Sequence, residues 1–205
     1  MTTATDVEFK EATLPNGLTI QAEIVPGALT AASGFFFRTG ARDEDPAVMG
    51  VSHFLEHMMF KGTETRTAED VNRGFDDLGA NHNAFTTTEI TAYYAHVPFD
   101  ALDDSLDILA DILRPSLRTE DFDEEKGVIL EEIAMYDDQP FWVLFEQGLE
   151  RYFGSHRLAH RVLGTKQTVS DLRPEQMREY FDRRYSADNG VLVASGRVDF
   201  DHLVA

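Results

Sequence analysis

Residues 53–57, His-Phe-Leu-Glu-His, set two histidines four apart inside an apolar run that includes Phe54, Leu55, Met58, Met59 and Phe60. On a helix, positions i and i+4 lie one turn apart on one face, so His53 and His57 can each aim a ring nitrogen at the same point. Histidine pairs at this spacing also occur on ordinary surfaces, and the five-residue pattern alone does not separate the two cases. The apolar neighbours argue for burial, and buried imidazoles need partners. A metal ion is such a partner. Two histidines do not complete a site, so the fold must bring a second element against this helix with a third ligand. Glu56, at the edge of the same face, is placed to hold a water on the ion rather than the ion itself.

The chain has 205 residues and no cysteine, which excludes disulfides, thiolate metal sites and a cysteine nucleophile. Any transition metal must be held by histidine and carboxylate. Zinc suits such a set, because its catalytic sites use three protein ligands and keep a fourth position for water. The metal acidifies that water and polarises a carbonyl while a carboxylate takes the proton. The third ligand is best sought in DFDEEKGVILEEIAMYDD, where Glu125 and Glu132 are seven apart and point the same way. Phe122, Ile129, Ile133 and Tyr136 form the adjoining apolar stripe, whereas Glu131 points elsewhere, to solvent. His156 and His160 repeat the i, i+4 spacing in a Gly-bounded loop without a matching acid, and read as loop residues. His82 and His96 sit singly near strands, and His202 lies in the tail.

FKEATLPNGLTIQAEIV predicts a hairpin around Pro15-Asn16-Gly17. LTAASGFFFRTG follows as a strand apolar on both faces, hence central. Val48–Phe60 predicts the motif helix, and TAEDVNRGFDDLG a second one, capped by Thr67 and ended by Gly79. NHNAFTTTEITAYYAHV holds a short extended piece and a Thr- and Tyr-rich strand. Helices are expected over DALDDSLDILADIL, stopping before Pro115, over Asp121–Tyr136, over FWVLFEQGLERYF, and over RPEQMREYFDRRY with Pro174 near its start. GSHRLAHRVLG reads as a loop and NGVLVASG as a buried strand. The tail VDFDHLVA reads as the first turn of a helix begun at Asp199, with the chain ending inside it and little for Leu203 and Val204 to pack against. With no linker, repeat or low-complexity tract, residues 1–205 are expected to form a single domain of α+β type.

A net charge of −19 makes a phosphate-binding surface improbable, so no nucleic-acid partner is expected. It is read as a solvated acidic surface that could also attract basic peptides. The N-terminal stretch MTTATDVEFKEATLPNG lacks a basic and apolar leader pattern, and no apolar run reaches membrane-spanning length. The expectation is a soluble, cytoplasmic protein with no membrane partner.

These residues, taken together, resemble the inverzincin metallopeptidases of the pitrilysin, insulinase and mitochondrial processing peptidase type. HFLEHMMFKGT is similar to that family's inverted zinc motif, GANHNAFTTTEITAYY to the strand region after it, and EEKGVILEEIAMYDDQP to the helix with the third ligand. HRLAHRVLGT and YFDRRYSADNGVLVASGRVD resemble later landmarks, so the likeness runs in order from about Leu14 to Asp199. The resemblance implies His53, His57 and Glu132 as ligands of one zinc ion, Glu56 as catalytic base, and Glu125 as a supporting acid behind the metal. It implies that Asn83 and Ala84 belong to an edge strand that pairs with extended peptide. It implies a mostly antiparallel sheet with helices packed largely on one face, a two-layer sandwich. The implied activity is zinc-dependent endopeptidase cleavage of extended peptides or unfolded protein, with a non-catalytic assembly or peptide-binding subunit as the alternative. Family peptidases pair such an N-terminal domain with a second homologous domain or subunit, which this sequence does not contain.

Overall fold

The computed structural model describes residues 7–205; Met1–Asp6, part of the stretch read as lacking a leader, lie outside the described residues. Six strands, β1 (Glu8–Thr13), β2 (Thr19–Ile24), β3 (Thr30–Phe37), β4 (Asn81–Thr86), β5 (Thr91–Pro98) and β6 (Gly190–Gly196), form one sheet. The order is β1-β2-β6-β3-β5-β4. Every neighbouring pair is antiparallel except β2 with β6. The helices are α1 (Val51–Met59), α2 (Ala68–Asp77), α3 (Leu102–Ile112), α4 (Thr119–Asp137), α5 (Pro140–Phe153), α6 (Lys166–Asp171), α7 (Pro174–Arg184) and α8 (Phe200–Val204). The fold is α+β, as expected. None of these helices is long and apolar enough to cross a membrane.

Register explains the two layers. Ile20, Leu192, Phe35, Tyr93 and Ala84 are aligned across the sheet, and successive side chains alternate between its faces. The face carrying Ile20, Phe35, Tyr93 and Leu192 is buried with the helical core residues Phe54, Leu55, Phe75, Leu109 and Ile129. Phe36, Tyr94 and Phe85 alternate onto the other face, where Phe36 and Phe85 meet edge to face at 6.5 Å. The hairpin turns at Gly17, whose φ of 92° is left-handed. β3 is central, between β6 and β5.

Four expectations need correction. The motif helix begins at Val51, not Val48, because Gly50 is left-handed (φ 95°) and ends a 3-10 turn region over Pro46–Val48. A Cβ on Gly50 would also stand 2.6 Å from the Leu163 carbonyl oxygen. The segment after the histidine loop contains the short helix α6, whose N-cap Thr165 accepts from the Thr168 amide. The α4 helix starts at Thr119, two residues earlier than read. Finally, Leu203 and Val204 do pack: α8 is capped by Asp199 and lies against β2, and both side chains are partly buried on the core.

α1 is held at its start by a carboxylate that the motif does not advertise. Glu44 is fully buried, and its two oxygens accept from the Gly50 amide at 2.7 Å and the Ser52 amide at 2.8 Å. These are two of the donors a helix N-terminus leaves unpaired. Burial pushes the Glu44 carboxyl up to about 8 against the pull of the Ser52 and Gly50 amides. A carboxyl whose folded pKa exceeds its unfolded 4.5 holds its proton longer when folded, so this group's contribution to stability falls as pH rises from 4.5 to about 8. Glu44→Ala, which orphans both amides, should lower stability by about 1–3 kcal/mol in urea unfolding. Glu44→Gln should flatten the pH dependence of the unfolding midpoint over that window.

Candidate metal centre

α1 and α4 cross with Phe54 stacked on Phe122, ring centroids 4.6 Å apart and planes 18° from parallel. That contact is possible because Phe54 sits between the two motif histidines, and Phe122 lies on the apolar stripe of α4. Lys126 fixes the outer side of α4 by donating to the Ser170 and Leu172 carbonyls at 3.0 and 2.8 Å. The crossing brings the carboxylate of Glu132 to the histidine pair.

Glu132 Oε2 lies 3.5 Å from His53 Nε2 and 3.7 Å from His57 Nε2. The three donor atoms fall within 4.8 Å of one another. These separations are too long for hydrogen bonds, yet close to the about 3.3 Å between ligand atoms of a tetrahedral zinc with bonds of about 2.0–2.1 Å. The residues therefore fit zinc: three donors converge on one point without bonding each other. His53 is 7% exposed, while Glu132 and His57 are half-buried.

Of the two acids left open in the helix 119–137, Glu132 faces both rings and Glu125 stands behind one. Glu125 Oε1 accepts from His57 Nδ1 at 2.8 Å, which leaves Nε2 of that ring free to face Glu132. The other Glu125 oxygen is paired with the Lys61 ammonium. Burial alone would raise the Glu125 carboxyl, but His57 and Lys61 outweigh it and hold it below the ordinary value. Burial also pulls at His57, and here Glu125, Glu132 and Glu56 win, raising the imidazole. His53 has no such support: burial, with help from His57, pushes it down to about 4, and its buried Nδ1 has no partner among the described residues. Burial raises Glu132 as well.

Glu56 accepts from Thr86 Oγ1 at 2.5 Å, and burial raises its carboxyl against that bond. A cleft beside the triad is lined by Glu56, His57, Phe60, Lys61, Asn83 and Ala84. β4 is an edge strand, and the Ala84 amide donates to the Asn83 side chain at 2.8 Å. All six residues singled out from the motif regions, together with Glu125, thus gather at one place except that the Asn83 side chain alternates away from the helix-covered face. Lys61 and Thr86 were not foreseen. Lys61 follows the motif by four residues, a helical spacing from His57 that could have flagged it; Thr86 carried no signal, since only pairing with β5 decides which threonine of TTT faces the helix.

Four of the five remaining histidines are occupied elsewhere, and His96 is exposed on β5. His160 Nδ1 bonds the Ala41 carbonyl at 2.8 Å and His156 Nδ1 accepts from the Leu158 amide at 3.2 Å, in keeping with loop roles. A broad cleft between α5 and that loop includes neither Glu132 nor the motif pair. His82 stacks on Phe75 at 4.1 Å, and His202 pairs with Asp103 at 2.9 Å.

Two imidazoles and one carboxylate on paired helices are the donor set of one class of catalytic zinc site. Residues 20–166 match the insulinase (peptidase family M16) family. The chain belongs to that family. It is 41% identical over 194 residues to an uncharacterized zinc protease of Mycobacterium leprae, covering 94% of this chain and 44% of that protein. An M16-like peptidase from Alicyclobacillus acidocaldarius superimposes with a TM-score of 0.88 at 30% identity, over 97% of this chain and 48% of that one. A Helicobacter pylori protease gives a TM-score of 0.93 at 22% identity, over 96% and 48% of the two chains, a likeness of fold. The chain spans less than half the length of the curated relatives it matches.

Chelator-free purification followed by metal analysis should find one zinc per chain. The double variant His53→Ala, His57→Ala should contain none. Glu125→Ala removes the acceptor behind His57 and should weaken zinc binding about 10–100-fold in a competition titration.

Proposed function

We propose that this chain is the N-terminal, zinc-binding domain of a metalloendopeptidase that cleaves extended peptides or unfolded protein. The observation that carries the reading is the convergence of His53, His57 and Glu132, with Glu56 beside them outside the donor set. Zinc bound there would polarise the scissile carbonyl and acidify the attacking water. Glu56 takes the water's proton and returns it to the leaving amine. Glu125 and Lys61 hold His57 in the tautomer whose Nε2 faces the site. The free edge of β4 offers backbone groups to an extended peptide at Asn83 and Ala84, and an incoming strand would replace the Asn83 side chain on the Ala84 amide.

The base and the ligand are separable by substitution. Glu56→Gln should keep its zinc and lose on the order of 10²–10⁴ in turnover. Glu132→Gln should lose zinc as well. Near-normal cleavage by Glu56→Gln, or zinc loss matching Glu132→Gln, would mean the roles are wrongly assigned.

A second homologous domain or subunit belongs to the proposal. One edge strand fixes the register of a bound peptide weakly without an opposing wall. Cleavage of an unstructured peptide library should therefore be poor with this chain alone and rise in a version extended to the length of its relatives. Equal rates would remove the need for the second part. The alternative, a non-catalytic assembly or peptide-binding subunit, predicts zinc binding without cleavage in either form.

A further inference from the structure

The carboxylate of Glu56 has one anchored oxygen and one open one. Oε2 accepts from Thr86 Oγ1 at 2.5 Å, and Oε1 makes no hydrogen bond among the described residues. The Thr86 hydroxyl has a single proton to give. Its other neighbour, Thr91 Oγ1, stands at 3.5 Å, and the Thr91 hydroxyl is already directed to the Thr39 carbonyl at 3.0 Å. Distance assigns the Thr86 proton to Glu56.

The direction of that hydroxyl is set by the sheet. Thr86 pairs with Thr91 in the β4–β5 register, which turns its side chain toward α1, and a β-branched side chain on a strand has few χ1 choices. Thr91 is fully buried between Thr39 and Thr86, so the anchor is backed by rigid structure. Thr86 is two residues along β4 from Ala84, whose amide donates to the Asn83 side chain. The strand offered to a peptide and the strand that aims the carboxylate are thus the same.

We propose that Thr86 is the positioning residue of Glu56: it pins Oε2, leaves Oε1 as the oxygen that accepts the proton, and ties the aim of the base to the strand that receives the peptide. The inference rests on the reading of Glu56 as the base. A merely structural hydrogen bond would stabilise β4 and nothing more; a positioning bond controls turnover apart from binding.

Thr86→Val keeps the shape and removes the hydroxyl, whereas Thr86→Ser keeps the hydroxyl. In whichever form cleaves peptide, this chain or its extended version, Thr86→Val should lower kcat by on the order of 10–10²-fold, the scale of loss expected from misplacing a reacting group. KM and zinc content should not change, and Thr86→Ser should retain most of kcat. In a Glu56→Gln background, Thr86→Val should add no further loss. Crystal structures of the two variants supply a readout independent of cleavage: the Glu56 carboxylate should leave its position in Thr86→Val and keep it in Thr86→Ser. An undisturbed carboxylate in Thr86→Val with wild-type kcat would overturn the proposal, as would equal losses in Val and Ser or a loss traced to KM or zinc. Full activity in Glu56→Gln is a different failure: it removes the base itself, whatever Thr86 does.

Discussion

The pairing of the buried Glu44 carboxyl with the Gly50 and Ser52 amides sets where α1 begins, and the histidine geometry depends on that start. A one-residue slip of a helix rotates every side chain by about 100° about the axis, enough to carry the two rings away from α4. Several distant segments share the constraint. The backbone at Leu163 and Gly164 lies against Met49 and Gly50 so closely that a Cβ on either glycine would collide with a carbonyl oxygen. Thr168 donates to the Met49 carbonyl at 2.8 Å, and the Tyr180 hydroxyl bridges Ser52 and Thr39. The chain around residue 164 and helix α7 therefore brace the start of the helix that carries the two histidines.

The second support is electrostatic. Glu125 is 4% exposed and would be costly as an isolated charge. Lys61 and His57 occupy its two oxygens, and Lys61 is itself restrained because Arg118 donates to the Lys61 carbonyl at 2.9 Å. The acid is thus ionised and aimed at the same time, and its aim selects the ring nitrogen that His57 presents. His53 depends instead on packing: its ring meets that of His57 at 4.7 Å and 68°. One histidine is oriented by charge and the other by enclosure.

Much of this was legible because it is local. The i, i+4 histidines, the seven-residue interval between Glu125 and Glu132, Thr67 and Gly79 at the ends of α2, and the Asn-Gly turn each encode their geometry within one or two helical turns. What failed to show depends on distant pairing. β6 inserts between β2 and β3, parallel to the former, though it is the last strand of the chain; alternation reports a buried strand and says nothing of its neighbours. Glu44 sits in a charged run, ARDEDP, where its neighbours suggest solvent, and only the folded chain reveals two amides waiting for it. α6 was hidden by its shortness, and the tail by the assumption that a chain end lacks a surface to cover. The resemblance, rather than the periodicity, chose Glu132 over Glu125, since both acids share one face of α4.

The candidate metal ligands and the proposed peptide contact lie on different layers of this fold. The three donors come from α1 and α4, two helices buried against each other through Phe54 and Phe122, and need nothing beyond the described residues to converge. The proposed peptide contact comes from β4, an edge with one neighbour, whose outward amide at Ala84 is satisfied by a side chain that must yield. Thr86 joins the layers, since its backbone belongs to the edge strand and its hydroxyl bonds the Glu56 carboxylate beside the candidate metal ligands. Under the proposed function, a change along β4 would alter how peptide is held, whereas a change at the crossing of α1 and α4 would alter the zinc site.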